Sequence, residues 1–288
     1  MSRWRSKAAS SPPPLVLGVS EQGVAWPTSQ EEGATLSWQS WTWPEGMPAT
    51  AGMQEWVLHR SPSALPGQSL QVCLAPGLAR HWVQPVPADT ASLAELHAVA
   101  SARARQLWGG AEPGGWMVSG DWQAQGHCLC NAVAAEWGAV WASLQDRWSA
   151  VALHTPLLLA QRRWQALWPQ TGWLALAVAR YLYILRREDG RMVSLRSLPW
   201  DRADTLQVLQ AQAMQEARRE MLRAGGGPED LYWLPLAEGG DRVQAIPGLK
   251  PVPWQVDGTK LAMAWDAPEA LQAAWCALQW GCGGGHEH

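Results

Sequence analysis

Phenylalanine is missing from this 288-residue sequence and tyrosine occurs three times, while tryptophan occurs 22 times. Several tryptophans, among them Trp137, Trp141, Trp148, Trp164 and Trp168, stand at helical spacing where a core would take phenyl rings. They read as core aromatics, but indole is larger than phenyl and its N–H needs a partner when buried. Either the packing has adapted to indole or the sequence has been recoded. Charge of one sign is also lacking. Twenty-two Lys and Arg against 25 Asp and Glu leave a net charge of −3, which gives no reason to expect nucleic acid or an acidic membrane as main partner. Basic stretches such as Ser2–Lys7 and Arg186–Arg196 are interrupted and read as solvated surface.

No hydrophobic run is long enough to span a bilayer. The best, Trp173–Leu185, has 13 residues and contains Arg180, where about 20 apolar residues are needed. At the start, Pro12-Pro13-Pro14 stands where a signal peptide would carry its apolar helix, so residues 1–14 read as a flexible leader and the protein as cytoplasmic. The five cysteines (Cys73, Cys128, Cys130, Cys276, Cys282) are odd in number and irregularly spaced, which suits reduced thiols better than a disulfide framework. His127-Cys128-x-Cys130 lacks a second ligand pair at zinc-site spacing. Alternation puts both cysteines on one strand face as small hydrophobes, and no metal is expected. A Gly-x-Ser-x-Gly nucleophile elbow is absent, since Gly18-Val19-Ser20 continues with Glu21-Gln22.

What is present is alternating strands and helices. Leu15–Ser20, Val24–Thr28 and Ala34–Trp43 read as strands separated by turns, and residues 44–68 as a Pro-, Gly- and Ser-rich loop. Ser69–Leu74 and Ala79–Val86 read as a strand pair, followed by a helix over Ser92–Trp108 with Ser92 and Glu95 in capping-box positions. Its apolar face is predicted as Leu93, Leu96, Val99, Ala100 and Leu107. Strands Trp116–Ser119 and Gly126–Val133, a helix over Ala134–Trp148, a strand Ala150–Leu153 and a helix Pro156–Trp168 complete this part. Pro169-Gln170-Thr171-Gly172 breaks the chain and is read as a domain boundary.

Beyond the break, a strand leads to Tyr181–Arg187, the turn Glu188-Asp189-Gly190 and Met192–Leu198. Asp-Gly between apolar runs predicts a primed hairpin turn. A helix over Asp204–Ala224 ends at Gly225-Gly226-Gly227-Pro228. Leu231–Leu236 reads as a buried parallel strand, and a last helix covers Ala267–Trp280.

Leu15–Trp43 and Leu174–Trp200 thus repeat one plan: strand, tight turn, strand, acidic turn with glycine, strand. The expected fold is α/β, two duplicated β-β-β-α-β-α halves facing a cleft, residues 15–170 and 171–281, with a flexible tail at 282–288. The plan is that of the actin-like ATPase (ribonuclease-H-like) fold. Within it the chain resembles the PilM and GspL cytoplasmic-domain group of type IV pilus and type II secretion inner-membrane platforms. The resemblance spans about residues 15–280. It rests on LVLGVSEQGVAW, on SLQVCLAPGLARHWVQPVPADTASLAELHAVA, and on LALAVARYLYILRREDGRMVSLRSLPW with the helix after it.

That resemblance implies where a nucleotide would lie. ATP-binding members hold Mg-phosphate with an Asp-x-Gly-type turn after the first strand of each half. Here the first turn is Val19-Ser20-Glu21-Gln22-Gly23, where Ser20 and Gly23 remain as candidate phosphate contacts. The second, Ala177-Val178-Ala179-Arg180, offers only Arg180. Gly239 and Gly240 are a relic of the adenosine side. With both acidic turns missing, the cleft is expected to be degenerate, with no cofactor and no hydrolysis, though ATP and magnesium binding stay open. The implied function is a non-catalytic scaffold docked to inner-membrane platform proteins and peripheral to the membrane, with a homo-oligomer possible. The alternative is a nucleotide-binding ATPase or small-molecule kinase, for which Asp121, Asp201, Asp204 and Asp257 are the candidate carboxylates.

Overall fold

The computed structural model describes residues 12–28, 37–90, 92–109, 114–122, 126–164, 168–178, 180–200, 206–223, 225, 231–234, 249–251 and 268–278. The chain opens with β1 (Leu15–Val19), β2 (Gly23–Pro27) and β3 (Trp38–Thr42), then α1 (Ala49–His59), β4 (Ser69–Leu74) and β5 (Arg80–Pro85). There follow α2 (Leu93–Trp108), β6 (Trp116–Gly120), β7 (His127–Ala134), α3 (Trp137–Gln145), β8 (Ala150–His154) and α4 (Pro156–Trp164). The second part holds β9 (Gly172–Val178), β10 (Tyr181–Glu188), β11 (Arg191–Pro199), α5 (Leu206–Arg223), β12 (Leu231–Leu234), β13 (Leu249–Pro251) and α6 (Glu269–Cys276).

Two five-stranded sheets share one topology. The first runs β3-β2-β1-β4-β8 and the second β11-β10-β9-β12-β13. In each, the first three strands form an antiparallel meander and the next two join in parallel beside the first strand. Burial explains the sequence pattern: β1 (LVLGV) and β9 (GWLALAV) lie at sheet centres and are buried at every residue. The duplicated plan expected from the sequence is therefore present.

The layers follow from which faces are apolar. One face of the first sheet packs Leu17, Val19 and Leu70 against Met53 and Trp56 of α1 and Trp137, Val140 and Leu144 of α3. The far face of the second sheet packs Trp173, Ala175 and Ile184 against Ala213, Ala217 and Met221 of α5. Between the sheets lies a shared core. Val16 and Cys73 come from the first sheet, Leu174, Leu176 and Val178 from the second, Leu157, Leu159 and Ala160 from α4, and Ala273, Trp275 and Cys276 from α6.

The structure corrects several expectations. Residues 44–68 are not all loop, for they contain α1, whose buried face is Gly52, Met53, Trp56 and Val57. Strand β5 does not pair with β4. Both edges of β4 are taken by β1 and β8, so β5 leaves the sheet and pairs with β7 in a separate sheet of order β5-β7-β6. The apolar face of α2 is Leu96, Ala100 and Ala104; Leu93 and Leu107 are 63% and 42% exposed. Small residues let α2 lie close on the third sheet and leave the larger leucines at its margins. Helix α6 packs on β1 and β2 of the first sheet. The positions of Gly239, Gly240, Asp201, Asp204 and Asp257 fall outside the described residues.

Candidate functional site

The turn after β1 is closed upon itself. Ser20 is 2% exposed. Its Oγ accepts hydrogen bonds from the backbone N–H groups of Gln22 and Gly23 at 3.1 and 3.2 Å, and donates to the Gly23 carbonyl at 3.3 Å. The Ser20 N–H also donates to that carbonyl at 2.8 Å. A short hydroxyl side chain satisfying the N–H groups two and three residues on is the usual serine turn. Its consequence here is that the donors an anion would need already have a partner. Trp43 backs the turn, donating from Nε1 to the Ser20 carbonyl at 3.2 Å. Gly23 is fixed by packing, because a Cβ there would lie 2.5 Å from the carbonyl oxygen of Trp41.

Arg180 follows β9, and its carbonyl accepts from the N–H of Trp200 at 3.0 Å. Its guanidinium Nε lies 3.9 Å from Oε1 of Glu269, with side chains 51% and 9% exposed respectively. Glu269 opens α6. One residue on, the Ala270 carbonyl sits so close to β1 that a Cβ on Gly18 would be 1.9 Å from its oxygen. Ser20, Gly23 and Arg180 therefore sit at the two turns as expected, but their polar groups face protein partners. Sequence reasoning missed Glu269, because nothing local announces an ion pair 89 positions from Arg180.

A second concave region lies between the first and third sheets. Ser119, Gly120 and Asp121 at the end of β6, with Leu129 and Asn131 of β7, form one wall. Leu153 and His154 of β8 and Leu158, Gln161 and Arg162 of α4 form the other, and the space between is about 420 Å³. Both β6 and β8 end their sheets, so each presents backbone N–H and C=O groups with no further strand beside them among the described residues. Ser119 Oγ donates to Asn131 Oδ1 at 2.7 Å. Burial, reinforced by the Arg162 charge, lowers the His154 pKa from 6.5 to about 4, so its imidazole is neutral near pH 7. The cleft thus brings apolar patches and hydrogen-bonding groups beside strands that end their sheets among the described residues.

No family model matches the chain, and no curated protein matches it. Solved structures do. The PilM–PilN type IV pilus biogenesis complex is 16% identical over 83% of this chain and 88% of that one, with a TM-score of 0.50. A Bacteroides thetaiotaomicron protein of actin-like ATPase fold and unknown function is 8% identical over 79% and 84%, at 0.49. The cytoplasmic domain of EpsL, an inner membrane component of the type II secretion system of Vibrio cholerae, is 12% identical over 92% and 94%, at 0.45. The fold is actin-like. The resemblance to PilM holds at the level of the fold.

An actin-like ATPase fold implies Mg-ATP, and the described residues do not fit it. The first turn spends its hydroxyl and two N–H donors internally. The second brings an arginine already facing a carboxylate. Cys128 and Cys130 are buried with Trp82, Ala100 and Ala104, and burial followed by the neighbouring Cys128 pushes the Cys130 thiol up to about 12. Among the described residues, no group of three His, Cys, Asp or Glu could hold a metal ion. No helix among them is long and apolar enough to cross a membrane.

Proposed function

We propose that the chain is a non-catalytic scaffold with a degenerate nucleotide cleft, lying on the cytoplasmic side of the inner membrane. It docks onto membrane proteins of a type IV pilus or type II secretion assembly platform through their extended cytoplasmic segments. The observation that carries this reading is the cleft between β6–β7 and β8–α4, with its open strand edges and mixed lining. The likeness in fold to a protein solved in complex with PilN supports the choice of partner class.

Isothermal titration with synthetic peptides from the cytoplasmic segments of platform membrane proteins tests it. One such peptide should bind with micromolar affinity. Ser119→Trp, a change at an exposed position that fills the cleft without touching the core, should weaken it at least tenfold. Absence of binding to every such peptide, or micromolar Mg-ATP binding with turnover, would overturn the proposal.

A further inference from the structure

The cleft between the two actin-like halves has an occupant from the chain itself. The opening turn of α6 lies against Gly18 of β1 and Ala25 of β2. Its later residues Ala273, Trp275 and Cys276 share a cluster with Val16 of β1 and with Leu174, Leu176 and Val178 of β9. Glu269 stands at the head of this helix, 8% exposed, and a carboxylate so enclosed is retained only if paired. Its cationic partner is Arg180, which follows β9, so the pair links the second sheet to a helix that is itself seated on β1 and β2 of the first.

We propose that Arg180 and Glu269 form a tie across the cleft, joining the turn after β9 to α6 and, through the contact of α6 with Gly18, to β1. The tie rests on the degenerate-cleft reading and extends it: the two halves hold one relative position without any bound nucleotide. Three features make the tie specific. Arg180 occupies the second turn, where a phosphate-binding turn would need small or acidic residues. Ser20 closes the first turn upon itself. Ala270 and Ala274 approach β1 so closely that the residue at position 18 can carry no side chain. The helix bearing Glu269 therefore cannot slide without losing its seat.

Hydrogen exchange followed by mass spectrometry tests the tie in Arg180→Ala, Glu269→Gln and the double variant. Arg180 is half exposed, so solvent screening limits the effect. Each single change should speed exchange about two- to fivefold, both in the segment around 176–184 and in the segment around 268–276. The double variant should exchange no faster than the more affected single one. Effects that add, that stay within the mutated segment, or that do not appear would overturn the tie. Mg-ATP added to the unaltered protein should change neither segment. Protection by Mg-ATP would overturn the degenerate-cleft reading beneath the tie, whereas additive variants with no Mg-ATP effect would remove the tie alone.

Discussion

Replacing Gly18 by alanine should unseat α6. The built Cβ would lie 1.9 Å from the Ala270 carbonyl oxygen, 2.2 Å from the Ala274 nitrogen and 2.8 Å from its Cα, all backbone atoms. Ordinary contact begins at 3.4 Å, so 3.4 less 1.9 leaves about 1.5 Å to be found by lifting the helix or bending β1. No rotamer change can absorb that. Overpacking costs roughly 1–3 kcal/mol where side chains can give way. With backbone on both sides, the upper end, about 3 kcal/mol, is the appropriate figure. For a chain of this size about 2–4 °C is lost per kcal/mol, so thermal unfolding should fall by roughly 6–12 °C. Gly67→Ala is the control, since its φ of +76° strains an alanine but nothing lies within 4 Å; strain alone costs about 1–2 kcal/mol. Thermal melts of the two variants decide the matter. If Gly18→Ala melts no lower than Gly67→Ala, α6 is not seated on β1 and the architecture of the cleft is wrong.

Two further outcomes are expected. His81 is enclosed, with Nε2 2.9 Å from the Thr155 hydroxyl; burial, then the Arg80 charge, lowers its pKa from 6.5 to about 3, and His154 falls to about 4. A depressed folded pKa means that the unfolded chain takes up the proton first, so stability is complete above about pH 6.5 and declines toward pH 4–3. The decline approaches about 1.4 kcal/mol per pH unit for each histidine. Urea unfolding at pH 7.5 and 5.0 should differ by about 4 kcal/mol, with His154→Gln removing about half; equal stabilities would refute the two neutral imidazoles. Among the tryptophans, Trp56 is wholly buried with no hydrogen-bond partner for Nε1 among the described residues, whereas Trp43 donates to Ser20. Trp56→Phe should stay within about 1 kcal/mol of the parent, because removing an orphaned donor offsets the lost volume. Trp43→Phe should cost about 1 kcal/mol more, and denaturant melts giving the opposite order would sink that reasoning.

Local signals were the legible part of the fold. Asp189 and Gly190 take φ of 49° and 77°, the left-handed pair that the Asp-Gly hairpin requires, and Ser92 accepts from the Glu95 N–H at 3.2 Å as a capping box should. Alternation placed Cys128 and Cys130 together in an apolar cluster. Features decided by distant residues were not legible. Helix α1 sits inside a Pro-, Gly- and Ser-rich stretch and contains Gly52, whose missing side chain leaves room for Trp43, a Cβ there falling 2.5 Å from the ring. The partner of β5 depends on which edges of β4 are already occupied, and no local pattern reveals that. The same division holds at the site. Ser20 and Arg180 could be picked out from the family resemblance, but the direction in which each spends its polar groups could not.

Indole use bears on the same distinction between local and distant control. Besides Trp56, the Nε1 groups of Trp82, Trp148 and Trp168 are buried with no hydrogen-bond partner among the described residues. Trp56 and Trp148 stack at 6.3 Å with planes 8° apart, and Trp26 meets Trp56 edge-on at 5.4 Å. Those contacts need only an aromatic ring, and the surroundings offer nothing to an N–H. Such positions ask for phenyl in shape and polarity. By contrast, the indole of Trp43 is used in full, because its N–H holds the Ser20 carbonyl of the closed first turn. That indole nitrogen thus secures the turn in its closed form. With an apolar core continuous from Val16 and Cys73 across α4 and α6 to Leu174 and Leu176, the two halves are joined by packing of the kind that resists relative motion. Packing of that kind is what the proposed scaffold role would require.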